Sequence, residues 1–216
     1  MIHLNGESLK LEEVVAVARQ GARVEPLEEA VRDRMRASQS WVRESIYQKG
    51  LVIYGVNTGF GPLATTRIDN DQARKLSRNL ILTCASGVGP PLSAEMVRAM
   101  MLIRANTLVR GNSGARPVIA ETLLTMLNRD VIPYVPEKGS LGASGDLAPM
   151  AHIAAVMTRD LEQGDGGYSG RAWHHGELLS GAEAMAQAGI DRLILEAKEG
   201  LALTNGTNMM AAAGAL

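Results

Sequence analysis

Apolar residues recur three and four positions apart through most of this 216-residue chain, and glycine or proline punctuates each stretch. That spacing puts successive side chains on one helix face, which constrains the chain toward short helices packed on one another. Leu11, Val14, Val15 and Ala18 form a first stripe that stops at Gly21, a suitable C-terminal cap. Pro26 suits the first turn of a second helix, whose stripe of Leu27, Val31, Met35, Val42 and Ile46 runs toward Gly50. Leu76, Leu80 and Cys84 share a face of a third, which Asn70 and Asp71 can cap and the loop-forming residues 86–91 end. Ser93 opens a fourth helix carrying Met96, Met100, Ile103 and Thr107 as far as Gly111. Pro117 opens a fifth carrying Ile119, Leu123, Leu124 and Leu127. Hydrophobic residues make up 46% of the chain but aromatics only 3%, so Ala, Leu, Val, Ile and 11 methionines must fill the core. Such side chains favour close helix packing.

Between the second and third helices, residues 51–66 include Tyr54-Gly55-Val56-Asn57-Thr58-Gly59-Phe60-Gly61-Pro62, too permissive a backbone for regular structure. An extended piece at 131–136 precedes the glycine-rich Gly139-Ser140-Leu141-Gly142-Ala143-Ser144-Gly145, and Asp146 is placed to N-cap a helix running to about Met157. Gly164-Asp165-Gly166-Gly167, with the alternation from Tyr168 to Trp173, predicts a small hairpin. Helices are expected around 182–188 and from near Asp191, and the Ala/Met run at 209–216 has helix formers with no stop signal. The fold class is therefore mainly α, with a short β hairpin and loops.

With Lys+Arg 22 against Asp+Glu 23, the net charge of −1 gives no general attraction to nucleic acid or to an anionic membrane, and a small ligand is expected. One cysteine, Cys84, excludes an intrachain disulfide and a cysteine zinc cluster, which suits a cytoplasmic location. The first residues lack a basic stretch followed by an apolar one, and no run is long enough to span a membrane.

Ala143-Ser144-Gly145 carries a specific chemical possibility. In a sharply bent backbone the Gly145 amide nitrogen can attack the Ala143 carbonyl carbon. Loss of that oxygen as water, and of the Ser144 hydroxyl as a second water, leaves a five-membered ring with an exocyclic methylene, an electrophile made from a hydroxyl. Small neighbours keep both reacting atoms accessible, and the surroundings must hold the strained turn.

The segment Gly142-Ala143-Ser144-Gly145-Asp146-Leu147-Ala148-Pro149, preceded by Val135-Pro136-Glu137-Lys138-Gly139-Ser140, resembles the signature of the aromatic amino acid ammonia-lyases. Tyr54-Gly55-Val56-Asn57-Thr58-Gly59-Phe60-Gly61 and Asn205-Gly206-Thr207 fall in that family's order on either side, and the histidine ammonia-lyases are the branch it looks most like. The resemblance implies the N-terminal part of the family's fumarase/aspartase-like helical bundle. Residues 1–203 would be a mostly helical domain bearing the cyclised group, and 204–216 the start of a truncated central long-helix bundle. It also implies 4-methylidene-imidazol-5-one (MIO), formed autocatalytically from Ala143, Ser144 and Gly145, with no metal.

In that scheme the Ser144-derived methylene captures the substrate α-amino group, Tyr54 removes a proton from the β-carbon, and Asn205 hydrogen-bonds the ring carbonyl where negative charge accumulates. Gly61, Thr83 and Cys84 are expected at the substrate. Thr83-Cys84 stands where histidine lyases have Ser-His, so a polar contact to the substrate ring is absent and histidine is not selected by this pair. Family members run to roughly twice this length or more, beyond a single-domain scale. Their second half supplies the carboxylate-binding arginine, and their sites combine residues of several subunits of a tetramer. The implied protein is a homo- or hetero-oligomer, with a separate C-terminal-half polypeptide as a possible partner and a histidine-like or aromatic L-amino acid as substrate. An aminomutase using the same group, or a truncated assembly module without activity, are the alternatives. Outside the motifs, His174-His175 reads as a surface pair rather than a metal site, His152 as a core or supporting residue, and Cys84 as a packed thiol.

Overall fold

The computed structural model describes residues 1–69, 72–143, 145–164 and 166–216. Helix α1, Leu11–Gln20, ends as its stripe predicts, with Gly21 at φ 66° in the C-cap. Helix α2 spans Glu29–Arg43 and continues into a π-helical turn, Glu44–Gln48, so Pro26 and Leu27 lie before the helix rather than in its first turn. Leu27, Val31, Met35, Val42 and Ile46 are nevertheless all buried. Helix α3 is Ala73–Cys84; the expected caps Asn70 and Asp71 lie outside the described residues.

Helix α4, Ala94–Val109, starts where Ser93 Oγ accepts the Met96 N–H at 3.3 Å, and α5, Pro117–Asn128, starts on its proline. Helix α4 packs against α1, α2, α5 and α9, the last being Asn208–Ala215. Val97, Met100, Met101, Leu102, Ala105 and Leu108 are buried on it, which leaves little polar face. Each such large side chain contributes about 1.5–3 kcal/mol on full burial. Helix α6, Ala148–Met157, is buried from Pro149 to its end. It is held by α3, by α7, Gly181–Gln187, and by α8, Glu199–Thr204.

The strands correct the sequence expectation. Residues 88–91, expected only to end a helix, form β1, Val88–Pro91, antiparallel to β3, Pro136–Lys138. Two prolines are tolerated there because each strand has only one neighbour. A three-stranded sheet is built from β2, Ile132–Pro133, β4, Arg171–His174, and β5, Glu177–Ser180, in the order β2-β4-β5. The hairpin lies later than residues 164–173, and its turn is His175-Gly176, both at positive φ. His174 is consequently buried against the Asp130 carbonyl rather than on the surface. Residues 191–198 are not helical; Leu193 pairs with Thr158 instead. Among the described residues no helix is long and apolar enough to cross a membrane, and no group of three or more His, Cys, Asp or Glu could hold a metal ion.

Candidate active site

Tyr54 stands exposed beside a run of five buried residues, 55–59. The run is held down by its own polar side chains. Asn57 Oδ1 accepts the Ile53 N–H at 2.8 Å, Asn57 Nδ2 donates to the Leu51 carbonyl at 2.9 Å, and Thr58 Oγ1 accepts the Gly55 N–H at 3.1 Å. Val56 packs with Val42, Ile46, Ala73 and Ala197 in a small second core. The Tyr54 ring meets Phe60 edge-on at 6.1 Å, and its hydroxyl accepts the Gly61 N–H at 3.5 Å, a long contact. Gly61 thereby joins the tyrosine loop through its backbone, at the start of a 3₁₀ turn, Gly61–Leu63.

Gly55 sits at φ +72°, and a Cβ there would lie 2.8 Å from Leu201 Cδ2 of α8, so the loop rests on the helix that leads to Asn205. Gly55→Ala is expected to cost about 1–2 kcal/mol for the left-handed conformation alone. A denaturant titration measures the loss.

The glycine-rich turn is clamped from its C-terminal side. Asp146, 5% exposed, accepts the Ser140 hydroxyl on Oδ2 and the Leu141 N–H on Oδ1 at 3.2 Å, while its own N–H donates to the Ala143 carbonyl at 3.1 Å. The expected N-cap role of Asp146 is thus replaced: α6 begins two residues later, after Leu147, and the carboxylate braces the turn. Gly142 and Gly145 adopt φ +69° and +85°, and a Cβ on either would meet nothing within 4 Å. The described residues on both sides of position 144 are therefore bent at glycines, with open space where each Cβ would stand. Ser144 itself lies outside the described residues.

Thr83 and Cys84 close α3, Thr83 exposed and Cys84 half-buried. Burial raises the Cys84 thiol above its ordinary pKa, which keeps it protonated and unreactive near neutrality. The chain after Cys84 runs back to the glycine-rich turn: the Gly87 N–H donates to His152 Nε2 of α6 at 3.1 Å. Burial, with a smaller effect of the Arg171 charge, lowers the His152 pKa, so the imidazole is held neutral as an acceptor. The unfolded chain takes up this proton first as pH falls. The stability from the neutral form is complete above about pH 6.5 and is lost progressively below it. His152→Gln keeps an acceptor that does not titrate, so the decline of denaturation midpoint from about pH 7.5 to 5 should be shallower than in the parent.

Asn205 is the C-cap of α8, with its side chain exposed. Helix α8 approaches α3 closely because Gly200 has no Cβ; one there would sit 2.1 Å from the Ser77 carbonyl oxygen. Glu199, fully buried, accepts from the Arg116 N–H at 3.0 Å, Arg116 Nε at 2.8 Å, Arg116 Nη2 at 2.7 Å and the Glu196 N–H at 2.7 Å. Arg104, 3% exposed, donates to the Ala202 and Asn205 carbonyls and to Asn208 Oδ1, and burial pushes its pKa down to about 10.

Helices α3, α6 and α8 pack on one another, with Thr83-Cys84 closing α3, the glycine-rich segment preceding α6 and Asn205 following α8, and Gly55 of the tyrosine loop lies against Leu201 of α8. A cavity of about 360 Å³ lined by Arg74, Arg78, Asn79, Leu82, Asp160 and Tyr168 contains none of the expected site residues. Arg104 and Arg116 were not singled out from sequence. Their signal was a charge inside an apolar helical run, Met100-Met101-Leu102-Ile103-Arg104-Ala105, and a charge just before a helix-opening proline.

The family described as aromatic amino acid lyase matches residues 9–216. The histidine ammonia-lyase of Streptococcus sanguinis strain SK36 is 49% identical over the whole chain, which spans 40% of that relative's length. The structure superposes on the phenylalanine aminomutase of Pantoea agglomerans with TM-score 0.88 and 39% identity, covering all of this chain and 40% of that one. On the histidine ammonia-lyase of Trypanosoma cruzi the values are 0.84 and 31%, covering 99% of this chain and 39% of that one.

Proposed function

The chain belongs to the aromatic amino acid lyase family, and from that premise we propose that it is the MIO-bearing part of a histidine-type ammonia-lyase. The whole enzyme releases ammonia from a histidine-like or aromatic L-amino acid to leave an α,β-unsaturated acid. The observation that carries this proposal is the pair of positive-φ glycines, Gly142 and Gly145, on either side of the tripeptide's centre, with the buried Asp146 carboxylate accepting from Ser140 and Leu141. Histidine type rests on the 49% identity to a histidine ammonia-lyase over the full chain. Thr83-Cys84, in place of the Ser-His of histidine lyases, does not itself select histidine or a replacement for it.

When formed from residues 143–145, the MIO group supplies an electrophile for the substrate amino group. The chain's own residues do the rest. Tyr54, exposed on a loop whose neighbours are buried, takes the β-proton on its phenolic oxygen. Asn205 offers its amide N–H where negative charge collects, an arrangement of preorganised donors that stabilises charge at little reorganisation cost. The protonated Cys84 thiol and Thr83 contribute the end of α3 as a wall toward the substrate side chain. Because the chain spans about 40% of its relatives' length, a C-terminal half, joined or separate, completes the site within an oligomer. A cytoplasmic setting is proposed on the lone cysteine.

A second possibility, an aminomutase, is favoured by the close superposition on a phenylalanine aminomutase. Product analysis separates them. The chain, alone and combined with a C-terminal-half polypeptide, is incubated with L-histidine and aromatic L-amino acids. Ammonia with an unsaturated acid supports the lyase, a β-amino acid supports the aminomutase, and neither product in any combination overturns both.

A further inference from the structure

We infer that Arg104 is the positioning residue for Asn205, a buried cation that fixes the turn between α8 and α9 so that the Asn205 amide is presented in one orientation. The inference rests on the proposed role of Asn205 above, but its structural content stands on separate observations.

Arg104 lies on the buried side of α4, 3% exposed. Its guanidinium reaches both sides of Asn205-Gly206-Thr207. Nη1 donates to the Ala202 carbonyl at 3.2 Å, in the last turn of α8, and Nη2 donates to the Asn205 carbonyl at 2.7 Å and to Asn208 Oδ1 at 2.5 Å, the first residue of α9. All three acceptors are uncharged amide oxygens. Nε has no hydrogen-bond partner among the described residues. A buried charge of this kind is expensive, and a methionine or leucine of similar volume would fill the space at lower cost. What the apolar side chain would lack is a fork of donors that can bind the end of one helix and the start of the next together. The last carbonyls of a helix have no partners within it, so an external donor decides how the chain leaves α8.

Gly206 shows how closely this contact is fitted. A Cβ on Gly206 would lie 2.4 Å from Arg104 Nη2 and 2.8 Å from Asn208 Oδ1, so the middle residue of Asn205-Gly206-Thr207 is glycine because the guanidinium occupies that space. The Asn205 backbone is therefore held on its carbonyl side by Arg104 and on its amide side by its hydrogen bond to the Leu201 carbonyl at 2.9 Å. Its side chain, left exposed, then has its Cα position and direction set for it. Arg104 acts on the reaction only through Asn205.

The test follows the Asn205 side-chain amide by NMR, together with hydrogen exchange at residues 205–208, in the parent chain and in Arg104→Met, Arg104→Lys and Gly206→Ala variants. Arg104→Met is expected to shift the Asn205 side-chain resonances and to speed exchange at 205–208 by about tenfold or more, leaving α5 unaffected. Arg104→Lys, which keeps the charge and one donor direction, should restore part of both. Gly206→Ala displaces the guanidinium without removing it and provides the same readout if Arg104→Met does not fold. Unchanged Asn205 resonances and exchange in a folded Arg104→Met or Gly206→Ala chain overturn the inference. Intact mass is taken on the same samples. A parent chain retaining both waters overturns the cyclisation proposal alone, whereas the exchange and resonance data decide the role of Arg104.

Discussion

In a Ser144→Ala chain the mass of both water molecules returns, and ammonia release by the completed enzyme falls by a factor on the order of 10³ or more, the scale seen when a covalent catalytic group is removed. The size of the effect follows from what is lost. Without the hydroxyl no methylene can form, and the substrate amino group has no electrophile to attack, so Tyr54 and Asn205 are left with an unactivated amine. The fold should survive the change. The bonds that hold the turn run from Ser140 and Leu141 to the Asp146 carboxylate and from the Asp146 N–H to the Ala143 carbonyl. Assays of ammonia release beside a thermal melt check both halves of the expectation. Retained activity in Ser144→Ala would remove Ser144 from the chemistry.

The largest expected loss of stability lies at the base of α8. Arg116→Met leaves Glu199 fully buried, with only the N–H groups of residues 116 and 196 to satisfy a carboxylate that now accepts four hydrogen bonds. Stranding one member of a buried pair costs about 3–5 kcal/mol. The lower end is expected because the Arg116 side chain is 28% exposed, so water can reach part of the site. The hydrogen bond to Glu199 raises the Arg116 pKa, so the guanidinium stays charged through the range of ordinary assays. A double change, Arg116→Met with Glu199→Leu, should recover much of the loss, since it removes the stranded charge as well as its partner. Denaturant titration of the two variants gives the difference. A single variant as stable as the parent would mean that α8 does not depend on this pair.

How much of this was visible in the sequence depended on the range of the interactions involved. Helices α1, α4 and α5 begin and end where their stripes, Ser93, Pro117 and Gly21 indicate, because caps and periodicity act within a few residues. The strand Val88–Pro91 escaped because its partner, Pro136–Lys138, is far along the chain and its two prolines read locally as a loop. The hairpin was displaced for a related reason. Gly164, Gly166 and Gly167 signal turns as strongly as His175-Gly176 do, and only pairing with Ile132–Pro133 selects the later one.

The site divides in the same way. The proposed roles of Tyr54, the 143–145 tripeptide and Asn205 were readable only through motifs that resemble those of the ammonia-lyases. The contacts that support these segments were not. Asp146 looks like a helix cap by position, but its carboxylate is captured by Ser140 and Leu141. His152 meets Gly87 across 65 residues, and Arg104 meets Asn205 across 101. Contacts at that separation are set by how α3, α4, α6 and α8 pack, and no local pattern encodes them.

The central claim is that this chain makes its own electrophile from Ala143, Ser144 and Gly145. Intact-mass measurement of the purified, folded chain tests it most directly. The expected mass is that of the 216 residues less two water molecules, with the deficit located by proteolysis to a peptide containing residues 143–145. A folded chain carrying its full sequence mass would contradict the claim.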